Sequence, residues 1–159
     1  CGVIAFAVQT QGREQHSSLP NPENAIVKMM NTLTYLQNQQ WHGFNIGTIQ
    51  GGTAENVVAG NSVARISVRP QNKSQFENIL AELKQLEDII TINKQIEPYT
   101  GKNNGSLNIA SHFSEMAFFP NSIQFGAGHI SIAHTSDERI SRTDLNMLVD
   151  KLTQVLETA

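Results

Sequence analysis

The sequence predicts an α+β fold of the ferredoxin-like βαββαβ type, with a four-stranded antiparallel sheet, two helices on one face and a C-terminal strand-loop-helix strip. Three observations lead there. Apolar runs rich in β-branched residues fall at 3–10, 44–50, 63–69 and 90–96. Apolar residues at helical spacing fill the gap after the first strand and the gap before the fourth. Between 64 and 69, Ala64, Ile66 and Val68 alternate with Arg65, Ser67 and Arg69, the period of a strand with one covered and one open face.

Each element has its own signal. Residues 3–10, VIAFAVQT, make the first strand. Asn21 and Pro22 suit an N-cap and a first helical position, and Ile26, Met29, Met30, Leu33 and Leu36 carry a helix from Pro22 to about Gln39. A Gly/Asn-rich connection joins the second and third strands. Phe76, Ile79, Leu80, Leu83 and Leu86 mark the second helix, and Ile90, Ile92 and Ile96 the last strand before Pro98. Turn residues in YTGKNNGSLN, 99–108, separate a domain over 1–100 from an incomplete segment over 101–159. There, Ser106 to Phe119 suit a short helix and Ser122 to Phe125 a short buried strand. Ser141 and Asp144 form a variant capping box ahead of a helix carrying Leu145, Leu148, Val149, Leu152, Val155 and Leu156.

Composition excludes several function classes. Eleven basic and 14 acidic residues give a net charge of −3 without a basic block, so the chain lacks the footprint of a nucleic-acid binder. No apolar run approaches the ~18 residues of a membrane span. The single cysteine, Cys1, excludes an internal disulfide and fits a reducing, cytoplasmic setting. The chain starts inside an apolar strand without an initiator Met, as expected of a fragment.

Three blocks carry a family resemblance. The first is Gly12-Arg13-Glu14-Gln15-His16-Ser17-Ser18-Leu19-Pro20, followed by Asn24-Ala25-Ile26. The second, Asn45 to Pro70, holds a Gly-Gly pair, an Asn-Val-Val at 56–58 and a closing Arg69-Pro70. The third runs from Phe125 through Gly126-Ala127-Gly128 to His134-Thr135 and the Asp137-Glu138 pair. Together they resemble the lid, or dimerisation, domain and the C-terminal strip of the α/β catalytic domain of the zinc-dependent acetylornithine deacetylase/succinyl-diaminopimelate desuccinylase/carboxypeptidase family. One departure is Ala59, followed by Gly60, where the family usually has Pro after Asn-Val-Val.

The resemblance implies roles for particular residues. His134 would bind one metal of a two-zinc site; imidazole is a common ligand for that cation. Asp137 and Glu138 would either orient its ring or stand as solvated charges. His16 would reach into the partner subunit and donate a hydrogen bond to the scissile carbonyl as charge develops on it. Asn56 would contact substrate, and Arg69 would pair with a substrate carboxylate through its guanidinium fork. Backbone N–H groups of the loop at Gly126 and Gly128 would meet the α-carboxylate. Considered alone, these are turn residues, an exposed strand charge and a loop histidine. His42, His112 and His129 receive no role.

The expected parent enzyme is therefore a metal-dependent amidohydrolase that cleaves the amide bond of a small N-acyl amino acid or peptide-like substrate. The other metal ligands and the general base are missing from this sequence, and one imidazole cannot hold a catalytic zinc. The chain alone is expected to be inactive and to act mainly in homodimerisation, through the first helix and a neighbouring edge strand. The competing expectation is a free-standing ferredoxin-like regulatory domain that binds a small molecule without catalysis. An RNA-binding version would need aromatics on the central strands, and the two middle strands show only Phe44.

Overall fold

Strand β1 (Val3–Gln11) lies inside the sheet, paired antiparallel on one side with β3 (Asn61–Val68) and on the other with β4 (Ile90–Ile96). Strand β2 (Asn45–Gly51) pairs with β3, so the order is β2-β3-β1-β4 and both β2 and β4 are edges. With helix α1 (Ala25–Asn38) between β1 and β2, and α2 (Lys73–Lys84) between β3 and β4, this is the expected ferredoxin-like βαββαβ arrangement. The structure is a computed structural model that describes residues 1–20, 22–98, 118–119 and 126–158.

The core follows from strand and helix periods. Ile4, Phe6 and Val8 of β1 and Ala64, Ile66 and Val68 of β3 point to one face. Met29, Leu33 and Leu36 of α1 and Phe76, Ile79 and Leu83 of α2 complete the same buried cluster. Phe6 meets the edge of Trp41, with ring centroids 6.5 Å apart. On the opposite face Arg65 is exposed, as its alternation predicts. Two irregularities interrupt the ladders. The register slips by one residue at Gly47 in β2 and at Asn93 in β4, the signature of edge-strand bulges.

Helix α1 starts later than expected. Its N-cap is Asn24, whose side chain accepts from the N–H groups of Ile26 (2.9 Å) and Val27 (3.3 Å), so Pro22 lies outside the helix. The backbone around the cap is already committed elsewhere. Glu23 accepts from Arg13 N–H, Ala25 N–H donates to Ala59, and Thr10 Oγ1 donates to Ala25 O at 2.7 Å. These bonds hold 23–25 against two other segments and leave the first turn to begin at Ala25. Asn72 caps α2 in the same way, accepting from Gln75 N–H at 2.9 Å.

The chain divides into two units, Cys1–Pro120 and Asn121–Ala159. In the second, a 3-10 turn at Ile130–Ile132 precedes helix α3 (Arg142–Thr158). The capping box at its start is a variant in which both bonds use the Ser141 hydroxyl: Oγ accepts from Asp144 N–H at 3.0 Å and donates to Asp144 Oδ2 at 2.6 Å. Leu145, Val149, Leu152 and Leu156 of α3 are exposed. The boundary expected near residue 100, the strand over 122–125 and all but Phe118 and Phe119 of the helix over 106–119 lie outside the described residues.

Candidate functional site

After β1 the chain makes a close passage at Gly12. A Cβ there would collide with the carbonyl oxygens of Glu23 and Ala59 and with the nitrogen of Ala25, so only glycine fits where three backbone segments meet. Beyond Gly12 the segment to Ser17 runs antiparallel to 56–60. Gly12 N–H donates to Gly60 O (2.8 Å), Val58 N–H to Gln15 O (2.9 Å), and Ser17 N–H to Asn56 O (3.0 Å). His16 stands opposite Val57 in this short ladder. His16 and Asn56, far apart in sequence, thus lie on two paired segments, with Ser17 opposite Asn56, and both are exposed.

The Gly-Gly pair sits where the second block predicts. Gly51 ends β2, and Gly52 takes φ +71°, a left-handed conformation that favours glycine. Between this turn and the start of α1 lies a hollow of about 390 Å³, bordered by Asn24, Ile26, Thr53, Glu55 and Val57. The replacement of Pro by Ala59 leaves the turn well tied, because Ala59 is buried and its carbonyl accepts from Ala25 N–H at 2.9 Å.

Arg69 is elsewhere. It follows β3 at the end where Val68 faces Ile4, whereas His16 and Asn56 lie beyond the end where Asn61 faces Gln11. Seven strand steps separate Asn61 from Val68, about 24 Å at the rise of an antiparallel strand. Arg69 is half-buried, donates its N–H to His42 O at 2.8 Å, and packs its side chain so near Gly43 that a Cβ there would lie 2.7 Å from Arg69 Cβ and Cγ. One protomer does not bring Arg69 together with His16 and Asn56.

In the second unit, Gly128 (φ +84°) and His134 (φ +62°) take left-handed conformations, and a Cβ at Gly126 would meet nothing within 4 Å. His134 is exposed. Its backbone N–H donates to Glu138 Oε2 at 3.0 Å, so this carboxylate holds the main chain rather than the imidazole. Asp137 lies 3.9 Å from Arg139 Nη1. Neither acid has a hydrogen bond to the His134 ring. Among the described residues no group of three or more His, Cys, Asp or Glu side chains could hold a metal, so His134 stands there without the further donors that a zinc site needs.

Sequence reasoning missed what Ser17 and Ser18 do. Ser17 latches the loop to Asn56 through its amide, and Ser18 Oγ lies 2.7 Å from His16 Nδ1. The signal was present in the His-Ser-Ser triplet, but its geometry needs the fold.

Residues 1–90 match the family model described as the peptidase dimerisation domain. The chain belongs to that family. Its fold is similar to that of three solved proteins. An amidase of the hydantoinase/carbamoylase family from Burkholderia phymatum superposes with a TM-score of 0.55 at 15% identity over 61% of this chain. A protein described as an aminohydrolase from methicillin-resistant Staphylococcus aureus gives 0.51 at 24% over 62%. An aminobenzoyl-glutamate utilization protein from Klebsiella pneumoniae gives 0.50 at 18% over 64%. The matches cover only 29%, 29% and 30% of those chains. A comparison with curated proteins gave no match. No helix among the described residues is long and apolar enough to cross a membrane.

Proposed function

We propose that this peptidase dimerisation domain serves a metal-dependent amidohydrolase that cleaves the amide bond of small N-acyl amino acids, of the deacetylase or desuccinylase type. The observation that carries the proposal is the split between the two ends of the sheet. The paired segments that carry His16 and Asn56 lie beyond one end of β3 and Arg69 follows its other end, and the strand between those ends is itself about 24 Å long, too far to serve one small substrate within a protomer. Antiparallel pairing of β2 with its own copy about a two-fold axis reverses the strands. The His16 end of one subunit then comes alongside the Arg69 end of its partner. A homodimer of this kind gives each substrate site His16 and Asn56 from one subunit and Arg69 from the other.

Within such a site His16 donates to the carbonyl oxygen as negative charge develops, the kind of preorganised donor that lowers an acyl-transfer barrier. Arg69 holds a substrate carboxylate in a bidentate pair, and Asn56 contributes a neutral hydrogen bond. The backbone of the Gly126–Gly128 loop receives the α-carboxylate. His134 is one zinc ligand in this proposal, with the remaining ligands and the general base supplied from outside the described residues. The chain by itself is inactive, and the enzyme is cytoplasmic. The name of the Klebsiella neighbour, which joins an aminobenzoyl group to glutamate, fits an N-acyl amino acid substrate.

Mixing two inactive forms of the intact enzyme tests the proposal. Neither His16→Ala nor Arg69→Ala homodimers should turn over N-acetyl or N-succinyl amino acids efficiently. Random exchange of subunits makes half the dimers mixed, and each mixed dimer has one site with both residues intact. Recovery of about a quarter of wild-type activity is expected from that two-fold arithmetic. If mixing recovers nothing, His16 and Arg69 do not meet across the dimer.

A further inference from the structure

We infer that Ser18 is a positioning residue that locks His16 in the Nε2–H tautomer, so that the ring presents a hydrogen-bond donor to the amide carbonyl oxygen of a substrate. The inference rests on the role proposed for His16, but its structural half stands on this chain alone.

Two contacts set the proton. Ser18 Oγ lies 2.7 Å from His16 Nδ1, and the backbone N–H of Ser18 points at the same nitrogen from 3.3 Å. A backbone amide can only donate, so Nδ1 must offer its lone pair. The hydroxyl, facing the same lone pair, then donates as well. With Nδ1 occupied as an acceptor, the proton of a neutral imidazole resides on Nε2. No hydrogen bond engages Nε2 among the described residues, and the side chain is exposed. The donor therefore stands ready for a group that arrives from outside.

This tautomer is the one an oxyanion needs. A ring with its proton on Nδ1 would point a lone pair from Nε2 at the developing negative charge and repel it. The turn that fixes the choice is encoded locally. His129 and Ser131 repeat it, with Nδ1 and Oγ 2.7 Å apart and the Ser131 N–H 3.2 Å from the ring. At His129 that arrangement caps the 3-10 turn at Ile130–Ile132. At His16 the same turn is pinned to a second strand by the Ser17–Asn56 and Gln15–Val58 bonds, which hold the ring's backbone in place. Of these two histidines, His16 is the one that joins the Nδ1 acceptor to a backbone held by a second segment.

Long-range proton–nitrogen NMR of this uniformly labelled 159-residue chain, at a pH where its histidines are neutral, reads the tautomer directly. The expected wild-type spectrum places His16 Nδ1 in the unprotonated range and Nε2 in the protonated range. Ser18→Ala should raise the Nδ1–H population about fivefold, the equivalent of one hydrogen bond of ~1 kcal/mol. Ser18→Thr, which keeps the hydroxyl, should restore the wild-type ratio, and Ser131→Ala should move His129 without moving His16. An unchanged amide shift at Val57 shows that the loop has kept its place in the Ser18→Ala chain. A mixed tautomer in the wild type, or no change in Ser18→Ala, overturns the inference. The catalytic half has a separate readout in the intact enzyme. There, Ser18→Ala should lower kcat at constant KM in proportion to the Nε2–H fraction that the NMR spectrum shows to be lost, with recovery in Ser18→Thr. A fully active His16→Ala enzyme would remove His16 from the chemistry and overturn the donor role, while an inert His16→Ala enzyme beside a Ser18→Ala one whose kcat ignores the tautomer shift would overturn the positioning role of Ser18.

Discussion

The backbone N–H of Ser17 donates to the carbonyl oxygen of Asn56 at 3.0 Å, and this bond joins two loops that are 39 positions apart in the chain. It closes the ladder begun by Gly12 with Gly60 and continued by Val58 with Gln15. Ser17→Pro removes that donor. The expected result is faster amide exchange at Val58, by about tenfold if one hydrogen bond of ~1.4 kcal/mol is lost, with exchange in the β1–β3 ladder unchanged. Equal exchange at Val58 in both chains would mean that the loop is held by its other contacts.

Glycine at position 12 and glycine at position 126 should behave oppositely. Gly12→Ala forces a methyl group against two carbonyl oxygens and an amide nitrogen, and backbone cannot step aside as a side chain can. Overpacking of this kind costs roughly 1–3 kcal/mol. At about 2–4 °C per kcal/mol for a chain of this size, Tm should fall by several degrees. Gly126→Ala meets nothing within 4 Å and should shift stability by less than about 0.5 kcal/mol. Thermal unfolding followed by circular dichroism compares the two directly.

The strands and helices were legible because their signals are periodic. Ala64, Ile66 and Val68 alternate with Arg65, and Phe76, Ile79 and Leu83 recur at helical spacing; the structure buries each member of both sets except the arginine. What escaped depends on bonds between irregular segments. Asn21 and Asn24 are both good N-caps by residue type, and the choice of Asn24 follows from Arg13 and Ala59 bonding to the backbone beside it. Likewise, a carboxylate four residues after His134 suggests a partner for the ring, yet Glu138 bonds the main chain. The site residues were recognisable as types from their motifs. Their grouping was not, because the distance from His16 to Arg69 is set by the β1–β3 register, which no local pattern in either loop encodes.

The start of α1 gives a direct test of that choice of cap. Asn24 Oδ1 serves two N–H groups at 2.9 and 3.3 Å. Asn24→Ala should cost about 1 kcal/mol, whereas Asn24→Asp keeps the acceptor and adds charge at the positive end of the helix, so stability should be retained. Urea unfolding midpoints at constant m would show the difference. An Ala variant as stable as wild type would mean that the bonds of Glu23 and Ala25 to their neighbours hold the helix start unaided.

The sheet has one edge suited to dimerisation and one that is not. Strands β2 and β4 are the two edges of the sheet among the described residues, and either could in principle pair with a copy. The apolar surface favours β2. Ile49 on β2 is 54% exposed although it faces Ala64, a residue of the buried helix-side face. On α1, which approaches β2 where Ile26 Cδ1 nears Gly52, Met30 is 61% and Val27 52% exposed. The remaining outer residues of α1, Asn31, Thr34, Tyr35, Gln37 and Asn38, are neutral, and Lys28 is paired with Glu23 at 3.2 Å. A two-fold contact sets this surface against itself, where neutral and apolar groups are tolerated and like charges are not. Ile49→Lys and Met30→Glu should therefore halve the mass seen by light scattering at micromolar concentration, with far-ultraviolet circular dichroism unchanged because both side chains lie outside the core. Ile92→Lys on β4 should leave the dimer intact. Dissociation by Ile92→Lys alone would move the interface to β4. The His16 end of one subunit would then lie along the other edge of its partner, and the shared substrate site would lose its geometric basis.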